Sequence, residues 1–118
     1  MPAINAPPSA VLGQRLRYLR EMRGWSQEKV GVEIGLDESS ARTRISRYEL
    51  GVHEPPIATA RLLANVMGVP LAYLYCEDEQ VASLLLALHH AKPADRQVTI
   101  TKLFQEMGCL VSPGKLSA

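Results

Sequence analysis

Apolar positions recur at helical spacing in segment after segment of this chain, and the pattern predicts an all-α protein. Leu12, Leu16 and Leu19 define the inward stripe of a first helix, from an N-cap at Ser9 to about Arg23, where Gly24 closes it. Val30 and Ile34 face inward from a short second helix, Gln27 to Ile34, capped by Ser26 and ended by Gly35. A third helix opens at Asp37 or one of the serines after it, runs to Leu50 and stops at Gly51. Val52 to Pro56 is an extended turn, because a residue before proline avoids the helical region. Ala60, Leu63, Ala64 and Met67 sit at i, i+3, i+4, i+7 and predict a fourth helix over about Ile57 to Met67. Pro70 suits the first position of a short fifth helix ending near Cys76.

A polar group, Glu77 to Gln80, separates this five-helix unit from two further helices. About Asp78 to His90 carries Val81, Leu84, Leu85 and Leu88 on one stripe, while Ala82, Leu86 and Ala87 make its other faces apolar too. Such a helix is buried on more than one side. Lys92-Pro93 breaks it, and a last helix over about Ala94 to Met107 shows Ile100, Leu103, Phe104 and Met107. The expected organisation is a flexible lead-in at 1–8, a five-helix domain at 9–76, a two-helix hairpin at 77–110 and a flexible tail at 111–118. A hairpin this apolar exceeds what five small helices can cover, so a homodimer through Leu84, Leu85, Leu88, Leu103, Phe104 and Met107 is expected, against a hairpin folded back on its own domain.

Charge adds little until it is placed. Thirteen Lys and Arg oppose 12 Asp and Glu, a net charge of +1, and neither half of the chain is strongly basic. Local placement says more: between Ser39 and Tyr48 lie Arg42, Arg44 and Arg47 with no acidic residue. Two helices at a tight glycine turn, the second one basic, form the arrangement that lays a helix in the major groove of DNA. Arg15, Arg17, Arg20 and Arg23 lie largely off the first apolar stripe, and a solvated basic face is their default reading. Trp25 reads as a core anchor under a helix corner. Gly31 in mid-helix costs roughly 1 kcal/mol against alanine and points to a second helix crossing closely there.

Cys76 and Cys109 are widely separated, without a CxxC pair or zinc-ligand spacing, and read as free thiols of a cytoplasmic protein. The N-terminus is no signal peptide, and no apolar run approaches the roughly 18 residues of a membrane span. His53, His89 and His90 stand without a partnered carboxylate or nucleophile, so no enzyme, no metal and no cofactor is expected. His89 and His90 at a helix end are accounted for by the helix dipole.

Three pieces in order, LGQRLRYLREMRGWSQEKVGVEIGL, ISRYELGVHEPP and LLANVMGVPLAYL, resemble the phage-repressor and Cro type of helix-turn-helix, the XRE family of bacterial transcriptional regulators. The resemblance covers about Leu12 to Leu74 and implies a repressor-like DNA-binding domain. By the same resemblance Gln27 binds a DNA phosphate and braces the recognition helix, Gly31 is the small residue at the helix crossing, and Arg20 pairs with Glu49. Counted from Ile45, base-reading positions fall on Arg42, Thr43, Arg44 and Arg47. Ser46, Ser26 and Ser40 are phosphate or supporting positions.

Two departures qualify the match. Gly35 to Ile45 is ten steps where the family commonly has six, so four residues are inserted, about one helical turn. Either the recognition helix is longer at its N-terminal end or the turn is a wider loop. Val52-His53-Glu54 also stands where many relatives place a basic residue on phosphate, which lowers the expected salt dependence. The leading expectation is a dimeric repressor reading a pseudo-palindromic operator in double-stranded DNA. The alternative is an antitoxin-like protein whose hairpin binds a partner such as a toxin. A protein anti-repressor is a further conceivable partner.

Overall fold

In the computed structural model the described residues are 7–108. They form seven helices: α1 Pro8–Met22, α2 Gln27–Glu33, α3 Glu38–Glu49, α4 Ile57–Met67, α5 Leu71–Tyr75, α6 Glu79–His90 and α7 Pro93–Met107. The expectations for residues 1–6, for the tail and for Cys109 lie outside the described residues. The chain divides into two compact units, one up to Leu86 and one from Ala87 onward. That division falls inside α6, beyond the polar group at which a boundary was expected.

Several ends differ from expectation for local reasons. Proline fixes φ and lacks an N–H, so it suits a first turn. Helix α1 accordingly starts at Pro8 after an extended Pro7, and Ser9 lies inside its first turn instead of capping it. Helix α7 likewise starts at Pro93. Pro70 precedes α5 as its N-cap. The Asp78 carboxylate accepts the Val81 N–H at 3.0 Å, so Asp78 caps α6 from outside.

The core of the first unit gathers the predicted stripes. Leu12 and Leu16 of α1, Val30 of α2, Ile45 of α3, Leu63 of α4 and Leu74 of α5 are fully buried, each worth about 1.5–3 kcal/mol of burial. Trp25 and Leu36 pack against its edge. Ala82 is buried in the same core and Leu86 packs on it, so the first turns of α6 belong to this unit.

In the second unit, Arg96 clamps the helix end before it. Its Nε donates to the Leu88 carbonyl at 2.7 Å, and its Nη2 donates to His89 and Ala91 carbonyls at 3.2 and 3.3 Å. A cation here meets carbonyls that the helix leaves unpaired. No residue of α7 is buried, and Met107 is 71% exposed. Among the described residues no helix is long and apolar enough to cross a membrane.

Candidate nucleic-acid interface

The turn between α2 and α3 is tight. Gly35 adopts φ +92°, where a Cβ would be strained, and its N–H donates to Val32 while the Leu36 N–H reaches back to Gly31 at 2.9 Å. The turn is thereby confined to Ile34 to Asp37. The four inserted residues therefore extend α3 at its N-terminal end and do not widen the loop.

The added turn is held by a close crossing. A Cβ on Gly31 would stand 2.5 Å from Ala41 Cβ and 2.8 Å from Ala41 Cα. Ala41, fully buried, prolongs the inward stripe of Ile45, Tyr48 and Glu49 by one turn. Asp37 occupies the N-cap position, yet its carboxylate accepts the Ser39 hydroxyl, not a backbone N–H. The Ser40 hydroxyl donates to the Asp37 carbonyl at 3.2 Å.

At the other end of α3 one buried carboxylate ties three elements together. Glu49, with its side chain 3% exposed, accepts Arg20 Nε at 2.6 Å, Arg20 Nη2 at 3.0 Å and Gln27 Nε2 at 3.1 Å. Arg20 Nη1 donates to the Trp25 carbonyl at 2.9 Å. The hydrogen-bonded Glu49 carboxylate raises the Arg20 guanidinium further above its ordinary value, against the opposing effect of burial. Gln27 thus ties the start of α2 to the end of α3. Nearby, α1 also approaches α3 closely at Gly13, where a Cβ would lie 2.5 Å from the Glu49 carbonyl oxygen.

With its inner face so fixed, α3 turns the polar residues outward. Arg42, Thr43, Arg44 and Arg47 are all exposed, Ser40 and Ser46 half-buried. Helical geometry sets Thr43 and Arg47 within about 20° of the direction opposite Ile45. Arg42 and Ser46 fall on the flank toward α2: Gln27, Arg42, Thr43, Ser46 and Arg47 line one shallow depression, and Ser26 with Gln27 and Arg42 lines the adjoining one. Arg44 and Ser40 lie on the opposite flank, outside that depression. None of the three arginines forms an ion pair among the described residues. Ser26 caps α2 by accepting the Lys29 N–H at 3.0 Å, so its hydroxyl already has a structural partner.

The first-helix arginines depart from the expected solvated face. Only Arg17 fits that description, paired with Glu21 at 2.6 Å on the surface. Arg23 donates to the carbonyls of Val66 and Met67 at the end of α4 and stacks over Trp25. Arg15 is buried, donating to the Cys76 carbonyl and to Glu79. Its position was legible: Leu12, Arg15, Leu16 and Leu19 are themselves i, i+3, i+4, i+7, so Arg15 stands on the apolar stripe.

A helix-turn-helix family model matches residues 16–74. Over 64 residues, 54% of this chain, the sequence is 31% identical to the SPbeta prophage-derived HTH-type transcriptional regulator YonR of Bacillus subtilis, covering 56% of it. It is 28% identical over 64 residues to an HTH-type transcriptional regulator of Sinorhizobium medicae, covering 43% of it. The chain thus spans about half the length of these curated relatives. The crystal structure of the transcriptional regulator BswR superposes with a TM-score of 0.72 at 36% identity, over 80% of this chain and 92% of that one.

Proposed function

We propose, from the premise that this chain belongs to the XRE-type helix-turn-helix family, that it is a dimeric transcriptional repressor reading a pseudo-palindromic operator in double-stranded DNA. One observation carries the reading: α3 presents Arg42, Thr43, Arg44 and Arg47 to solvent without acidic partners, beside the N-terminus of α2. Arg47 and Thr43, the outermost pair, face the groove floor, where an arginine takes guanine O6 and N7 and a threonine methyl meets thymine. Arg42, Ser46 and Gln27 on one flank and Arg44 on the other meet the groove walls, where phosphates dominate affinity.

The homodimer rests on a separate support. Val81 and Leu84 of α6 are exposed, Leu85 and Leu88 half-exposed, and α7 leaves Leu103 and Phe104 half-exposed and Met107 open. A dimer reading such an operator must present two recognition helices about 34 Å apart, one turn of DNA.

Titration of a selected duplex and a scrambled one at two salt concentrations tests the reading. The expected outcome is binding that weakens with salt and prefers the selected duplex, with Arg47→Ala losing about 1–3 kcal/mol of that preference. Affinity indifferent to sequence and salt would refute it. Sedimentation of the protein alone tests the dimer.

A further inference from the structure

We propose that Arg15 is a positioning residue for operator recognition: by anchoring α6 to α1 it fixes the spacing between the two recognition helices of the dimer. The inference rests on the dimeric reading above.

Arg15 is 7% exposed, and all three of its guanidinium nitrogens donate a hydrogen bond. Nε and Nη2 donate to the Cys76 carbonyl at 3.1 and 2.6 Å, Nη1 donates to the Glu79 carboxylate at 3.1 Å, and the group lies 5.0 Å over the Tyr73 ring. Cys76 ends α5 and Glu79 begins α6, so one planar side chain holds both sides of the junction. A planar fork fixes rotation as well as distance, which a point charge or an apolar contact does not.

Helix α6 has two faces. Glu79, Ala82 and Leu86 point one way, toward Arg15 and the core. Val81, Leu84, Leu85 and Leu88 point away from them, about 145° around the helix. That geometry accounts for a helix apolar nearly all round: its first turns pack inward through Ala82 and Leu86, while Val81 and Leu84 on the other side are exposed.

Helix α1 transmits the position of one face to the other. Gly13 is pressed against the last carbonyls of α3, and Arg15 stands two residues further on. Within three residues α1 therefore contacts both the recognition helix and the anchor of α6. The distance from the outward stripe at Leu84 and Leu85 to Thr43 and Arg47 is set through that short span.

Half-site spacing provides the readout. Inserting one base pair between half-sites moves the second by about 3.4 Å and rotates it by about 34°. The full-length protein is titrated against palindromes of graded spacing and against a single half-site. Wild type is expected to prefer one spacing over its neighbours by about tenfold or more. Arg15→Met and Glu79→Ala are expected to leave the dimer in sedimentation and the single-half-site affinity unchanged, while the spacing preference falls to about twofold. Glu79→Ala spares the contacts to Cys76 and serves as the deciding variant if Arg15→Met does not fold. Dimeric, folded variants that keep the wild-type preference overturn the inference alone. A monomeric wild type, or one without a spacing preference, overturns the dimeric reading and this inference with it.

Discussion

Replacing Gly31 by alanine should destabilise the protein, although alanine is the better helix former by about 1 kcal/mol. The new methyl would stand 2.5 Å from Ala41 Cβ, 2.8 Å from its Cα and 3.0 Å from its carbonyl oxygen. Carbon atoms prefer about 3.5–4.0 Å, so the helices must part by roughly 1 Å at their crossing. Neither alanine has a rotamer with which to move aside. Overpacking of this kind costs about 1–3 kcal/mol, and backbone contacts place this case at the upper end. Net of the propensity gain, about 2 kcal/mol of stability is lost. Ala41→Gly alone should also cost about 2 kcal/mol, from lost propensity and a lost buried methyl.

The two changes together should not add. Propensity gained in α2 offsets that lost in α3, the methyl moves from one side of the crossing to the other, and only the tight contacts with the residue 41 backbone remain. A loss of about 1 kcal/mol is expected for the double variant, a coupling of about 3 kcal/mol. Urea denaturation of the four proteins measures it, with m-values checking that the unfolded state is unchanged. Single-variant losses that sum to the double-variant loss within about 0.5 kcal/mol would show that the crossing at Gly31 and Ala41 is not what limits the approach of α2 and α3.

Glu49→Ala should cost about 3–5 kcal/mol in thermal or urea unfolding, because it strands the half-buried Arg20 guanidinium and frees Gln27. Replacing Arg20 and Glu49 together by leucine should cost less than that single change; the reverse order would refute the account. Burial raises the phenol of Tyr75, and raises that of Tyr73 against the opposing pull of Arg15. Their contribution to stability is therefore fully present below pH 10.0, the ordinary value, and is lost as pH rises through the higher folded values. Tyrosinate absorbance should show Tyr73 and Tyr75 titrating above that value, with the urea midpoint falling over the same interval. Phenylalanine at both positions should remove the late-titrating component.

Local order in this protein was written in the chain. The stripes Leu12–Leu19, Ala60–Met67 and Val81–Leu88 and the glycines at 24, 35, 51 and 68 specify each helix within one or two residues, because periodicity and capping are short-range effects. The outward arginines of α3 followed from the same periodicity, once Ile45 was known to face in. Tertiary contacts settled everything that depended on a distant partner. The inserted residues could have widened the turn or lengthened α3, and Ala41 meeting Gly31 decided for the helix. Three arginines in α1 and a fourth at its C-cap look alike in the sequence, yet Arg15 bonds a carbonyl 61 positions away, Arg20 a carboxylate 29 away and Arg23 carbonyls 43 and 44 away, while Arg17 finds only its neighbour Glu21. A charged side chain takes its role from the group that compensates its burial, and that group is brought to it only by the packing of the other helices.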